Sequence, residues 1–208
     1  MTADDGDLGL RERKKRETRL ALSQATIRLT LQRGWANVTV EDIAAAANVS
    51  VRTFRNYFSS KAEAVAASHL ERSLRTAEDL RARPASEPLW EAIVNTVQIQ
   101  FEGSPSPTPA VPRSQEQMDA IQLMLTEPAL HGEILKATAI AQGELAKAVA
   151  ERTGTDVTRD VYPGLVAAVV SAGSAKAVEH WLRTDPTGSV VPFLRDVFEQ
   201  ITAGLPVP

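Results

Sequence analysis

Residues 38–61 leave the backbone few choices, because two short apolar patterns with helical spacing are separated by only a few residues. Thr39 is placed to cap a first helix whose inward positions are Val40, Ile43, Ala44 and Ala47, with Glu41 and Asp42 in the first turn where the helix dipole favours negative charge. That helix is predicted to stop at Asn48, a residue that tolerates the left-handed backbone region. Val49 then plugs the gap between the helices, and Ser50 caps a second helix from about residue 51 to 58. On that helix Val51, Phe54 and Phe58 fall at i, i+3 and i+7 and face inward. The pattern is a helix-turn-helix.

Its outer face carries Arg52, Thr53, Arg55, Asn56 and Tyr57. Such a face suits DNA: guanidinium groups for guanine edges or phosphate, an amide for adenine, hydroxyls for phosphate. Ser60 and Glu63 have the spacing of a capping box at the start of a third helix, which places Lys61 where its ammonium would point at a phosphate. Thr39 and Ser50 join the expected DNA contacts from the two helix starts.

This stretch, with the preceding helix ending at Gly34 and Trp35, resembles the DNA-binding domain of the TetR family of bacterial transcriptional regulators. The resemblance rests on Gly34-Trp35, residues 38–44, Val49-Ser50, Thr53-Phe54, Tyr57-Phe58 and Lys61, and covers roughly the first third of the chain. Asn48 stands where the family usually has Gly, and Arg55 where it usually has an aromatic residue. Thr30 likewise replaces a common large apolar residue. The resemblance implies an all-α protein in which a helical body follows the DNA-binding head. It also implies that the last two helices pair with their copies in a second subunit, and that the body encloses some pocket for an effector.

Charge is distributed to match. The chain of 208 residues has a net charge of −3, which would argue against nucleic acid if spread evenly. Residues 1–10 carry only three Asp, residues 11–61 carry 11 Lys or Arg against 4 Asp or Glu, and the remainder carries 12 against 19. A basic module joined to an acidic one fits a DNA reader with a separate sensing body, since phosphate attraction needs only local charge. Arg11, Arg13, Lys14, Lys15, Arg16 and Arg19 crowd the start of the first long helix. Such a run is often a solvated face, but here it precedes the helix-turn-helix by one helix, and Arg13, Lys14 and Arg16 are assigned to phosphate or minor-groove contact.

The rest reads as helices over about residues 60–81, 89–101, 114–125, 128–152, 161–183 and 191–204, with a Pro-rich loop at 103–112. The expected organisation is a disordered acidic tail over 1–10, a DNA-binding domain over 11–61 with its connecting helix running to about 81, and a sensing and dimerisation domain over 82–208. Gly164, Ala168, Ala172 and Ala175 form a small-residue face, and Phe193, Val197 and Ile201 are larger knobs on the last helix. Trp90, Val97, Phe101, Gln122, Met124 and Trp181 are candidates to line an effector pocket, although any single one of them is more often core.

Enzyme chemistry finds little support. The chain has no cysteine, its three His are far apart with no metal-ligand spacing, and no phosphate-binding Gly-rich loop appears. No cofactor or metal is expected. No apolar run is expected to span a membrane, and the acidic start is unlike a signal peptide, so the chain reads as soluble and cytoplasmic. The reading is a ligand-responsive repressor that binds a pseudo-palindromic operator in double-stranded DNA as a homodimer and responds to a small apolar or amphipathic effector. Two alternatives stand beside it: an activator or ligand-independent regulator of the same fold, and a helical small-molecule-binding protein with no DNA role.

Overall fold

The structure is a computed structural model that describes residues 4–102, 115–185 and 188–207. The expected loop at 103–112 lies outside the described residues. The helices are α1 (Asp4–Arg33), α2 (Val40–Ala46), α3 (Val51–Tyr57), α4 (Lys61–Ala82), α5 (Leu89–Glu102), α6 (Gln115–Thr126), α7 (Pro128–Thr153), α8 (Val161–Thr184) and α9 (Val191–Thr202), with a 3-10 turn at Trp35–Asn37. No strand occurs among the described residues. The predicted helices appear with their ends moved by a residue or two, except that α1 begins at Asp4, inside the segment expected to be a disordered tail.

The helices group into two compact units. One comprises residues 1–70 and 115–137, the other residues 71–114 and 138–208. The expected domains, 11–61 with a connecting helix to about 81 and then 82–208, run along the chain, whereas by contacts α6 packs on α1 and groups with the N-terminal unit. The other division points fall within α4 and α7.

In the first unit the core gathers Leu22, Ala25 and Leu29 of α1, Val38, Ile43 and Ala44 around α2, Phe54 and Phe58 of α3, and Ala64 and Ala67 of α4. Val40, Ala47, Val49, Val51 and Tyr57 pack against its edge. Beside it on α1, Thr26 satisfies its buried hydroxyl by bonding back to the Leu22 carbonyl at 2.8 Å, whereas the buried hydroxyls of Ser23 and Thr30 find no partner.

In the second unit α8 packs on α9, and α9 on α5. Gly173 makes the first contact possible: a methyl group there would lie 2.9 Å from Ile201 Cδ1 and 3.3 Å from Val197 Cγ1. Contrary to the expectation that no segment is apolar enough, α8 is long and apolar enough to cross a membrane, with mean hydropathy 1.4. In this fold Val166, Ala167, Val170, Ala177 and Trp181 are buried, and 33% of the apolar stretch is covered within the chain. The end of α4 is fastened by charge. Arg81 Nε lies 2.8 Å from Glu151, and the Arg152 guanidinium donates to the carbonyls of Arg83, Pro84 and Glu87. Arg83 and Asn95 in turn donate to the Glu87 carboxylate.

The unpaired Thr30 hydroxyl gives a direct stability test. Thr30→Val keeps the branched shape and removes the orphaned group, so it should stabilise by about 1 kcal/mol and raise Tm by ~2–4 °C in thermal unfolding. An unchanged or lowered Tm would mean that the hydroxyl is satisfied in solution.

Candidate nucleic-acid interface

The helix-turn-helix is built from reciprocal local bonds. Thr39 Oγ1 accepts from the Asp42 N–H at 3.2 Å, while the Asp42 carboxylate accepts from the Thr39 N–H at 2.9 Å and from its hydroxyl at 2.7 Å. Arg33 adds an ion pair to Asp42 at 3.3 Å, so the end of α1 is tied to the start of α2. These groups hold the Asp42 carboxyl below its ordinary 3.8; the Thr39 hydroxyl is the largest cause, followed by the Thr39 N–H, and Arg33 contributes less.

The turn follows the same logic. Asn48 adopts φ 54°, and the Val49 N–H bonds to the Ala44 carbonyl at 2.9 Å, closing α2 with the 6→1 bond of a Schellman motif. Ser50 Oγ accepts from the Thr53 N–H at 3.0 Å and lies 2.8 Å from the Thr53 hydroxyl. Phe54 and Phe58 pack with ring centroids 5.7 Å apart and are almost fully buried, at 0% and 1% exposure. They fix the inner side of α3. Its outer side presents Arg52, Arg55 and Asn56, all exposed and adjacent at i, i+3 and i+4. Thr53 and Tyr57 flank this face half-buried, Tyr57 against the core.

Three of the expected contacts are occupied within the protein. The Thr39 and Ser50 hydroxyls are engaged in their caps. Lys61, expected to aim at a phosphate, turns its ammonium inward, donating to the Trp35 carbonyl at 2.5 Å and the Val38 carbonyl at 2.9 Å, and lying 4.3 Å from the centroid of the Trp35 ring. The reason is local: the 3-10 turn after Gly34, which has φ 82°, aims two backbone carbonyls at the start of α4. The expected Ser60–Glu63 box is also altered. Ser60 Oγ accepts from the Glu63 N–H, but the Glu63 carboxylate accepts from the N–H and hydroxyl of Ser59.

On α1, Arg13, Lys14, Lys15 and Arg16 are all exposed, with Arg13 facing Glu17 at 3.8 Å. Arg19 behaves differently, its guanidinium lying 4.7 Å above the Phe58 ring. Reading Arg19 as one more cation of the cluster missed this role. Its position one turn before Leu22 was the available signal, since i and i+3 share a helix face.

The candidate effector residues divide between the units. Gln122 and Met124 lie on α6 in the first, exposed and half-buried respectively. Trp90, Val97 and Phe101 lie at i, i+7 and i+11 of α5 in the second, with Val97 buried and the two aromatic residues half-buried. Arg72 approaches the Phe101 ring at 5.8 Å. Trp181 lies on α8 in the second unit. It is 1% exposed and donates from Nε1 to the Gly188 carbonyl at 3.1 Å, which closes the connection from α8 to α9.

Two family models match successive parts of the chain. Residues 22–67 match the model for bacterial regulatory proteins of the tetR family, and residues 87–206 match the MftR C-terminal domain. The chain is 33% identical over 188 residues to the HTH-type transcriptional regulator TcmR of Streptomyces glaucescens, covering 85% of this chain and 79% of that protein. It is 27% identical over 197 residues to MftR of Mycobacterium tuberculosis, a regulator assigned to mycofactocin biosynthesis, covering 93% of each. Among solved structures, the fatty acid degradation regulator FadR of Bacillus halodurans aligns with TM-score 0.56 and 16% identity over 92% of this chain and 97% of that one. FadR of Bacillus subtilis in complex with stearoyl-CoA aligns with TM-score 0.57 and 17% identity over 88% and 97%. These two likenesses speak to the fold.

Two outcomes test this geometry. Lys61→Met should destabilise by about 1–3 kcal/mol through the loss of its bonds to two carbonyls, while leaving the salt dependence of DNA binding unchanged. A phosphate contact would instead lower that slope by about 1. Asp42, whose carboxyl is depressed in the folded state, contributes stability above its ordinary 3.8 that is lost as pH falls through the depressed value. Asp42→Asn should therefore flatten the acid limb of a Tm-against-pH profile below about pH 4.

Proposed function

Since the chain belongs to the TetR family of bacterial regulatory proteins and is a DNA-binding transcriptional regulator, we propose that it is an effector-responsive repressor working as a homodimer on a pseudo-palindromic operator. The observation that carries this reading is the seating of α3. Two buried Phe residues hold its inner side, and Arg52, Arg55 and Asn56 stand exposed together on the outer side. Guanidinium groups pair with guanine in the major groove and the amide with adenine, and Thr53 and Tyr57 border the same face. A regulator of this kind works beside the chromosome, which places it in the cytoplasm.

Dimerisation through α8 and α9 is supported by the face that α8 leaves uncovered. Gly164, Ala168, Ala172 and Ala175 are exposed in line, next to exposed Val161 and Leu165. Small residues in such a row permit close approach of a second helix. Phe193, Val197 and Ile201 are half-buried on α9, and the latter two already lie against Gly173 of their own chain.

For the effector, the face of α5 carrying Trp90, Val97 and Phe101 offers one apolar wall in the second unit. An apolar or amphipathic molecule suits that wall, and FadR of Bacillus subtilis, which shares the fold, was solved with stearoyl-CoA. An effector that favours one spacing of the two reading heads weakens operator binding by its differential affinity for the two states.

Arg52→Ala should cost about 1–3 kcal/mol on the operator and relax preference at one base position, measured by binding to a panel of single-base variants. Unchanged affinity and preference would remove α3 from the reading role. Ala172→Glu should yield monomers in sedimentation and lose full-operator binding, because one head supplies only half the contacts. An effector should raise Tm, and it should lower operator affinity by the same factor by which operator DNA lowers effector affinity.

A further inference from the structure

Gly132 and Gly143 stand inside α7, where glycine weakens a helix relative to alanine. Both are exposed, and a methyl group added at either would meet no described neighbour within 4 Å. Packing within the chain therefore gives no reason for the missing side chains. What glycine does permit is the close approach of another backbone from outside.

The face between them is apolar and uncovered. Leu135 is 70% exposed and Ile140 54%, and Ala139 is exposed beside them. At about 100° per residue, Gly132, Ala139 and Gly143 fall within ~40° of one another, with Leu135 on one flank and Ile140 on the other. Lys136, the charged residue of this face, already holds Glu133 at 2.8 Å. Its alkyl stem can lie along an apolar surface without bringing an unpaired charge to it. Contiguous apolar exposure of this kind marks a site of interaction.

The order of the residues identifies the occupant as a second copy. When the face is turned end for end about the point midway between Ala137 and Thr138, Gly132 comes level with Gly143, Leu135 with Ile140, and Lys136 with Ala139. Leu135 and Ile140 of the second copy then lie at one level on opposite flanks, so they interleave without collision. The glycines let the two helix axes approach at both ends. A two-fold contact requires this self-complementarity. We infer that α7 is a seam on which copies of this chain pack antiparallel, separate from the pairing of α8 and α9. Two helical faces ~16 Å long bury well under the about 1,200–2,000 Å² of a stable interface, so the seam joins dimers already concentrated on one duplex rather than making dimers.

The chain has no cysteine, so single cysteines report the seam cleanly. About this axis Ala139 and its copy lie ~4.5 Å apart along the helices, within disulfide reach, whereas exposed Lys147 and its copy lie ~28 Å apart. Under mild oxidation the full chain with Ala139→Cys should form covalent pairs at least about tenfold faster than with Lys147→Cys, and these should sediment as dimers of dimers. L135E/I140E, added to Ala139→Cys, should abolish the excess without changing Tm. G132A/G143A should raise Tm, alanine being the better helix former, yet slow the cross-link by about fivefold or more. Equal rates for the two cysteine variants, or a rate untouched by either pair of substitutions, would overturn the seam. Ala172→Glu separates it from the pairing of α8 and α9: the cross-link should persist in that background, while the sedimenting species falls to single covalent pairs. Loss of the cross-link there would overturn a separate seam. If Ala172→Glu instead leaves the dimers of dimers intact, the pairing through α8 and α9 fails, and the seam stands on its own cross-link.

Discussion

A helix as short as α3 cannot hold itself in place. Seven residues are too few for independent helical stability in water, so the direction in which Arg52, Arg55 and Asn56 point is set by what α3 buries. Burial of Phe54 and Phe58 supplies that constraint, with ring centroids 5.7 Å apart inside a core drawn from α1, α2 and α4. Fully burying one such side chain is worth about 1.5–3 kcal/mol, which exceeds what any exposed polar contact of this helix contributes alone. The caps at Thr39 and Ser50, the left-handed Asn48 and the cation of Arg19 over Phe58 all act around this pair.

The polar bonds of this unit pre-order the reading head rather than wait for DNA. Thr39 and Asp42 satisfy each other, Ser50 and Thr53 do the same, and Lys61 fastens the turn after Gly34 to the start of α4. The exposed groups left on the outer face are therefore carried by a backbone whose helix ends are already satisfied. Binding then has little backbone ordering to oppose it.

Local features of this design were readable in the sequence, and long-range ones were not. The caps, the stop at Asn48 and the inward spacing of Val51, Phe54 and Phe58 depend on neighbours a few residues away, and helical periodicity reports those directly. The placement of α6 against α1 could not be seen that way, because amphipathic spacing names an inner face without naming its partner. Trp181 has the same explanation. An aromatic residue at helical spacing fits a pocket wall or a core, and the Gly188 carbonyl that holds its indole N–H is a partner that such spacing does not name. For Lys61 the deciding partners lie 23 and 26 residues earlier. The flanking motif suggested a phosphate, but the 3-10 turn exposes carbonyls that compete for the same ammonium.

The corner between α4 and α5 shows how a fastening can be strict about length and tolerant of composition. Arg152 reaches it across 65 to 69 residues of chain and donates to three main-chain oxygens, those of Arg83, Pro84 and Glu87. Every amino acid supplies that oxygen, and a planar guanidinium fits a fixed arrangement of acceptors. Ala85 and Ser86, exposed between these acceptors, are thus free to drift to other residue types over evolutionary time. Adding or removing one residue there would shift the carbonyls out of register with the fork, so this corner should diverge among descendants by replacement and resist insertions and deletions.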